Sequence, residues 1–153
     1  MKTFHSAKAV LIGYQHRGED FAIFEVETDQ VWNMIPFGDE GKEEDGSLIT
    51  VIAGSLGIGK QVLRGQISKL VLDRPLSEGD INWAGTMLLQ LSGVNGGASG
   101  SGIIADAQRR IVGVLVGTIG GTSVVGVPVS KVKAVIDAHE KGKYPWYAPA
   151  SSF

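Results

Sequence analysis

The 153-residue sequence contains no cysteine, which excludes disulfides and thiolate metal centres from any account of its stability or chemistry. That absence suits a reducing compartment and equally suits exported proteins that lack cysteine, so it assigns no compartment. Aromatic residues make up 7% and charged residues 20% of the chain, and the formal net charge is −2. No strong basic field is present to favour nucleic acid or an anionic membrane surface. No apolar run approaches the roughly 18 residues that span a bilayer. The first residues, from Met1 to Lys8, carry no apolar stretch of signal-peptide length. Histidine is scarce, at three residues, and the spacing of His5, His16 and His139 is not that of a zinc site. No metal and no cofactor is implied.

Glycine is plentiful, with 22 residues, and hydrophobic residues make up 43%. The glycines separate short apolar segments rich in Val and Ile, the pattern of strands punctuated by turns. Segments 9–12, 21–26, 49–52, 66–72, 87–91, 102–105, 111–117 and 124–129 read as strands, and their spacing predicts an all-β barrel or sandwich. One helix is expected near the end. Ser130 can serve as its N-cap, Val132, Val135, Ile136 and His139 share a face, and Gly142 can stop it. Residues 143–153 read as an extended tail.

Residues 37–47, rich in Asp and Glu, lack the regular ligand spacing of a calcium loop and read as a solvated excursion between elements. Residues 54–61 nearly match the phosphate-binding pattern G-x-x-x-x-G-K-[ST]. Gln61 stands where the hydroxyl is needed, however, and the following residues, including Gly65, read as strand rather than helix. A nucleotide site is therefore not expected.

The run Gly96-Gly97-Ala98-Ser99-Gly100-Ser101-Gly102 could be a plain hairpin turn. It could also be a nucleophile loop. A serine hydroxyl attacks a carbonyl only with a base to take its proton and fixed N–H groups to hold the oxyanion. Glycines let a backbone present those N–H groups. Residues around the run favour the second reading. Gly97 to Gly102 resembles the G-x-S-G-G-P loop of the trypsin-like (chymotrypsin-fold) serine proteases, in particular their bacterial HtrA-like branch. The strand-turn-strand of residues 103–114 and the segment Val124 to Ser130, similar to F-A-V-P-V-S, follow in the family's order. Upstream, Glu19 to Val26 resembles the D-L-A-L-L-K-V stretch, and residues 52–57 and 61–70 resemble its next turn and strand. The resemblance runs from about residue 4 to residue 138.

The resemblance implies a trypsin-like double β-barrel with a complete C-terminal barrel, a partial N-terminal barrel and a short C-terminal helix. It divides the chain into a remnant of the first barrel (1–40), the second barrel with its closing helix (48–142) and the tail (143–153). It implies a serine endopeptidase with Ser99 as nucleophile, Gly97 and Ser99 N–H groups holding the oxyanion, and Asp20 orienting a histidine. Val116, Gly117 and Thr118 would pair with an extended peptide or protein substrate. Gly93 and Gly126 would shape the pocket before the cut bond, with no acidic residue to favour Arg or Lys there. Ala98 stands where digestive enzymes carry the aspartate that pairs with a newly cut N-terminus, so activation of that kind is not expected.

The family's histidine lies upstream of the aspartate in a T-x-x-H-V-like segment, and neither His5, His16 nor His139 stands in that context. The chain is accordingly expected to be inactive alone, as a fragment of a longer protease or as a degenerate homologue that serves, as in a virus or phage, as a non-catalytic peptide-binding or structural module. An incomplete first barrel would call for a partner chain or a further N-terminal segment to cover it.

Overall fold

The computed structural model describes residues 8–15, 21–27, 29, 31, 33–57, 59–72, 77–78, 81–82, 85–119 and 123–141. Ten strands and one α-helix follow in order: β1 (Lys8–Gln15), β2 (Phe21–Glu27), β3 (Leu48–Ala53), β4 (Gln61–Lys69), β5 (Ser77–Glu78), β6 (Ile81–Asn82), β7 (Met87–Leu91), β8 (Gly102–Ala105), β9 (Arg110–Ile119), β10 (Ser123–Pro128) and α1 (Val129–Glu140). Six of them close an antiparallel barrel in the order β10-β7-β4-β3-β8-β9, with β9 returning to β10. Closure leaves no barrel strand at an edge along its whole length.

Strand periodicity explains why these segments close around a core. Along β3, Ile49, Val51 and Ala53 are buried while Leu48 and Ile52 are exposed; along β7, Met87, Leu89 and Leu91 are buried and Gln90 is exposed. Ile67, Ile103, Val112, Leu115 and Val124 complete the interior. Burying each such side chain contributes about 1.5–3 kcal/mol. The barrel is narrow, and large residues fill the space that small ones leave. A Cβ at Gly126 would stand 2.4 Å from Ile103 Cδ1, and one at Gly65 would stand 2.0 Å from the Gln90 carbonyl oxygen. Gly65 therefore lies inside β4, where β4 and β7 approach closely. The strand expected at 66–72 starts earlier and ends sooner, at Gln61–Lys69.

Outside the closed barrel, β1 and β2 form a separate antiparallel pair. Phe21 of β2 enters a second apolar cluster with Val116, Val125, Val127, Val132 and Val135, which joins β2 to the outside of the barrel and to α1. The opposite face of β2 shows Phe24 and Val26 exposed.

Two local expectations are corrected. Ser130 is not the N-cap. The helix starts at Val129, and the Ser130 N–H donates to the Glu40 carboxylate at 3.2 Å. A side chain remote in sequence thus satisfies an N-terminal amide that a cap would otherwise take. Residues 37–47 are also more than a solvated loop. Asp39 caps a 3-10 turn at Glu40–Lys42, Glu43 is buried, and Gln108 from the β8–β9 hairpin donates to Glu43 Oε1 (2.6 Å) and to the Asp39 carbonyl (2.7 Å). The segment is a strap fastened to the barrel. Gly142 and the tail lie outside the described residues.

Candidate active site

Ser99 sits on the exposed turn between β7 and β8. The Ala98 side chain turns inward, 1% exposed within the barrel core, and anchors the turn from below. A carboxylate there would be buried among apolar groups without a partner. Gly97 and Gly100 take φ of 94° and 86°, the left-handed region that glycine enters without steric cost.

Three amides between Gly97 and Ser101 are paired within the protein. Ala98 N–H donates to the Asn95 carbonyl (3.1 Å), Gly100 N–H to the Leu115 carbonyl (2.7 Å) and Ser101 N–H to the Ala98 carbonyl (3.1 Å). Among the described residues, the Gly97 and Ser99 N–H groups have no acceptor. The turn thus leaves unpaired the two donors that the oxyanion reading requires.

Across from Ser99 runs β9. β8 pairs only with its first half, from Arg110 to Val114, so the second half has no strand on that side among the described residues. Leu115 pairs with Gly126 and Gly117 with Val125, which leaves Val116 as an extra residue in the ladder. This is a β-bulge, and bulges re-aim backbone groups. The Val116 carbonyl accepts the Ser99 hydroxyl at 2.9 Å, while the Val116 side chain lies in the cluster with Phe21 and α1. Core strand and site strand are therefore the same residues. Thr118 is exposed and Gly117 half-buried on the open stretch.

The other expected site residues are placed differently. Gly126 faces the barrel interior, where Ile103 fills the space opposite it. Gly93 begins the turn at φ 79°, exposed, and its carbonyl accepts the Asn95 side chain. Asp20, His5 and His16 lie outside the described residues. Phe21, next to Asp20, is buried in the cluster that holds Val116. His139 is on α1, its side chain outside the described set. No group of three or more acidic or histidine side chains among the described residues is arranged to hold a metal ion. Two surface grooves of about 430 Å³ each, one along β3, β4 and β7 and one beside the strap, do not include Ser99.

One contact was not foreseen in the sequence. The β3–β4 turn reaches the nucleophile turn, where Leu56 N–H donates to the Gly96 carbonyl at 2.8 Å. Leu56 takes φ 56°, a left-handed conformation that costs a residue with a Cβ about 1–2 kcal/mol. The near-match to a phosphate loop marked this turn as glycine-rich but gave no sign of the contact.

No curated protein matches the chain in sequence. Its fold is similar to that of the HtrA-type protease AlgW with a decapeptide, at 19% identity and TM-score 0.70 over 87% of this chain and 40% of that one. The AlgW S227A variant with decapeptide gives 16%, 0.71, 89% and 41%. Rv3671c from M. tuberculosis H37Rv, an inactive form of its Ser343Ala mutant, gives 17%, 0.67, 91% and 68%. The chain spans about two fifths of the AlgW chains, and at these identities the likeness is one of fold. The sequence pattern of the trypsin-like peptidase domain matches residues 3–114, well over half of the chain, and the protein belongs to that family.

Proposed function

We propose that the chain carries the nucleophile half of a serine endopeptidase site, with Ser99 as nucleophile and the Gly97 and Ser99 N–H groups as the oxyanion hole. The observation that carries this reading is that, from Gly97 to Ser101, only the Gly97 and Ser99 N–H groups have no acceptor among the described residues. Fixed donors of this kind act on charge that develops during attack, and losing one costs about 10²–10³ in rate. An extended peptide would lie along the open stretch of β9. Its N–H would take the Val116 carbonyl, and alternation along the strand would turn the Thr118 N–H and carbonyl the same way. Asp20 would orient a histidine that none of His5, His16 and His139 supplies in the family's context. Alone, the 153 residues would retain binding and the oxyanion hole but not the base, and with them only a small part of the rate. Apolar residues suit the position before the cut bond, and Gly93, exposed on the turn, would shape it; Gly126, turned into the barrel, would not. Further strands, from the same chain or a partner, would cover Phe24 and Val26.

A second reading, a peptide-binding module without catalysis, draws on a specific observation. The Ser99 hydroxyl donates to the Val116 main-chain carbonyl and, among the described residues, to no side chain that could act as its base.

A pair of otherwise identical apolar peptides, one ending in a boronic acid and one in a carboxamide, separates the readings. The boronate can bond to Ser99 Oγ and place an oxygen in the oxyanion hole. It should bind at least about tenfold more tightly than the carboxamide, and Ser99→Ala should remove the difference. Equal affinities in the unmodified protein would leave only the binding module.

A further inference from the structure

Of the three asparagines in the chain, Asn33, Asn82 and Asn95, only Asn95 is followed by glycine. The pair Asn95-Gly96 lies on the turn that carries Ser99. The main-chain nitrogen after an asparagine can attack the side-chain carbon Cγ, because few bonds separate the two and closure makes a small ring. A side chain on the following residue obstructs that approach, and glycine has none.

The structure leaves the approach open. Asn95 and Gly96 are exposed. A Cβ at Gly96 would meet nothing within 4 Å, so the rest of the protein does not crowd this peptide. Among the described residues the Gly96 N–H has no acceptor, and no ladder holds the attacking nitrogen. Two hydrogen bonds restrain Asn95. Its Nδ2 donates to the Gly93 carbonyl at 3.0 Å, and its own carbonyl accepts the Ala98 N–H at 3.1 Å. The acceptor and donor on Asn95 are exposed, so water can take the place of either bond at little cost. Gly97, at φ 94°, gives the chain freedom to follow as the Asn95–Gly96 peptide turns.

We propose that Asn95 is a self-modification site whose reaction changes the Ser99 turn. The Gly96 nitrogen bonds to Asn95 Cγ and the Cγ–Nδ2 bond breaks. Nδ2 leaves as ammonia, carrying the proton that the Gly96 nitrogen gives up. Water then opens the succinimide at either carbonyl. One opening gives aspartate, and the other gives isoaspartate, in which the main chain runs through Cγ. Both products set a carboxylate two residues before Gly97, where its charge opposes the negative oxygen that the Gly97 N–H would hold. Isoaspartate also lengthens the main chain by one carbon and moves the carbonyl that accepts from Ala98. The reaction stands on Asn95 and Gly96 alone, whereas its effect on the site rests on the reading of Gly97 and Ser99 as the oxyanion hole.

The test ages the full chain in mildly alkaline heavy-oxygen water and follows its peptides by mass spectrometry. The peptide containing Asn95 should gain the mass of an amide-to-acid conversion with one heavy oxygen. It should also become a substrate for an isoaspartyl-specific methyltransferase. Asn33 is exposed and precedes Met34, which makes it the internal reference. A misplacement of about 1 Å can cost a reacting pair on the order of 10²-fold, so Asn33 should convert at least about tenfold more slowly. Gly96→Ala, which has room for its methyl and no positive φ, should slow Asn95 to the pace of Asn33. Conversion at Asn95 no faster than at Asn33, or unchanged in Gly96→Ala, overturns the modification site. Over the same interval the preference for peptide boronate over carboxamide should fall in proportion to the fraction converted, and stay constant in Gly96→Ala. A preference that survives full conversion overturns the effect on the turn. Fresh protein that shows no preference while Asn95 still converts fails at the Ser99 reading instead, and the modification site stands without it.

Discussion

The strap at residues 37–47 and the turn at residues 93–101 are both irregular segments beside barrel strands, and they treat their polar groups in opposite ways. In the strap, the Asp39 N–H and carbonyl both go to Gln108, its carboxylate goes to Gly41, and Glu40 holds the start of α1. Lys133 donates to the Gly38 carbonyl, and Asp45 accepts from Leu70 and Lys69. Polar groups that serve structure are paired. In the Ser99 turn, two of the amides from Gly97 to Ser101 have no acceptor among the described residues. The turn is exposed, so water can satisfy those donors at little cost. A ligand oxygen can then replace the water. The strap binds the molecule to itself, and the turn keeps its donors for something else.

The largest expected effect abolishes the comparison by removing the scaffold under both regions. In Gly65→Ala the new methyl would stand 2.0 Å from the Gln90 carbonyl, between β4 and β7. The strands cannot separate without opening the barrel, so a loss of about 3 kcal/mol or more is expected. Denaturant unfolding measures it, and strap and turn should fail together. Wild-type stability in this variant would show that the strands are not so closely apposed.

A smaller effect separates the regions. Gln108→Ala removes the donors to Glu43 and to the Asp39 carbonyl and the acceptor for the Asp39 N–H. It leaves Glu43, only 8% exposed, without its partner, at a cost of about 2 kcal/mol. The melting temperature should fall while the boronate preference of the folded protein stays the same. A changed preference would mean that the strap and the Ser99 turn are coupled.

How much of this could be read in the sequence follows the range of the interactions involved. β7, β8 and most of β3 were legible because alternating burial is written into adjacent residues. The bounds of β4 were less so: the stretch containing Gly65 reads as strand, but its apolar segment begins only at residue 66, and the reason for a glycine inside the strand, the approach of Gln90, is not local. The helix face of Val132, Val135 and Ile136 was visible as a period. The actual partner of the Ser130 amide, Glu40, is ninety residues away and left no local sign. The strap's pairing with Gln108 is equally long-range. At the site, the glycines around Ser99 were legible, as was the family resemblance. The bulge at Val116 and the reach of Leu56 to Gly96 were not, since both depend on register between distant strands. Gly57 and Gly59 also take positive φ, but a sequence reading has no reason to give leucine such a conformation as well.

The smallest expected effect sharpens the account of the strap, because it separates charge from hydrogen bonding at its end. Asp45 accepts from Leu70 N–H at 2.8 Å and from Lys69 Nζ at 3.2 Å. The Leu70 hydrogen bond first, and then Lys69, hold its carboxyl below the usual carboxylate range. The folded protein therefore favours the ionised form more than the unfolded chain does. Its contribution is present in full above the ordinary carboxylate pKa and is lost as pH falls through the lower folded value. Asp45→Asn can keep an acceptor for Leu70 but loses the charge, while Asp45→Ala loses both. At neutral pH the order of stability should be wild type, then Asn, then Ala, with small steps because the site is exposed. Salt should narrow the first step by screening Lys69 and leave the second intact. In acid, where Asp45 is protonated, the first step should vanish. An Asn deficit that persists unchanged in acid would assign the strap's hold on Leu70 to hydrogen bonding alone, with no contribution from the charge.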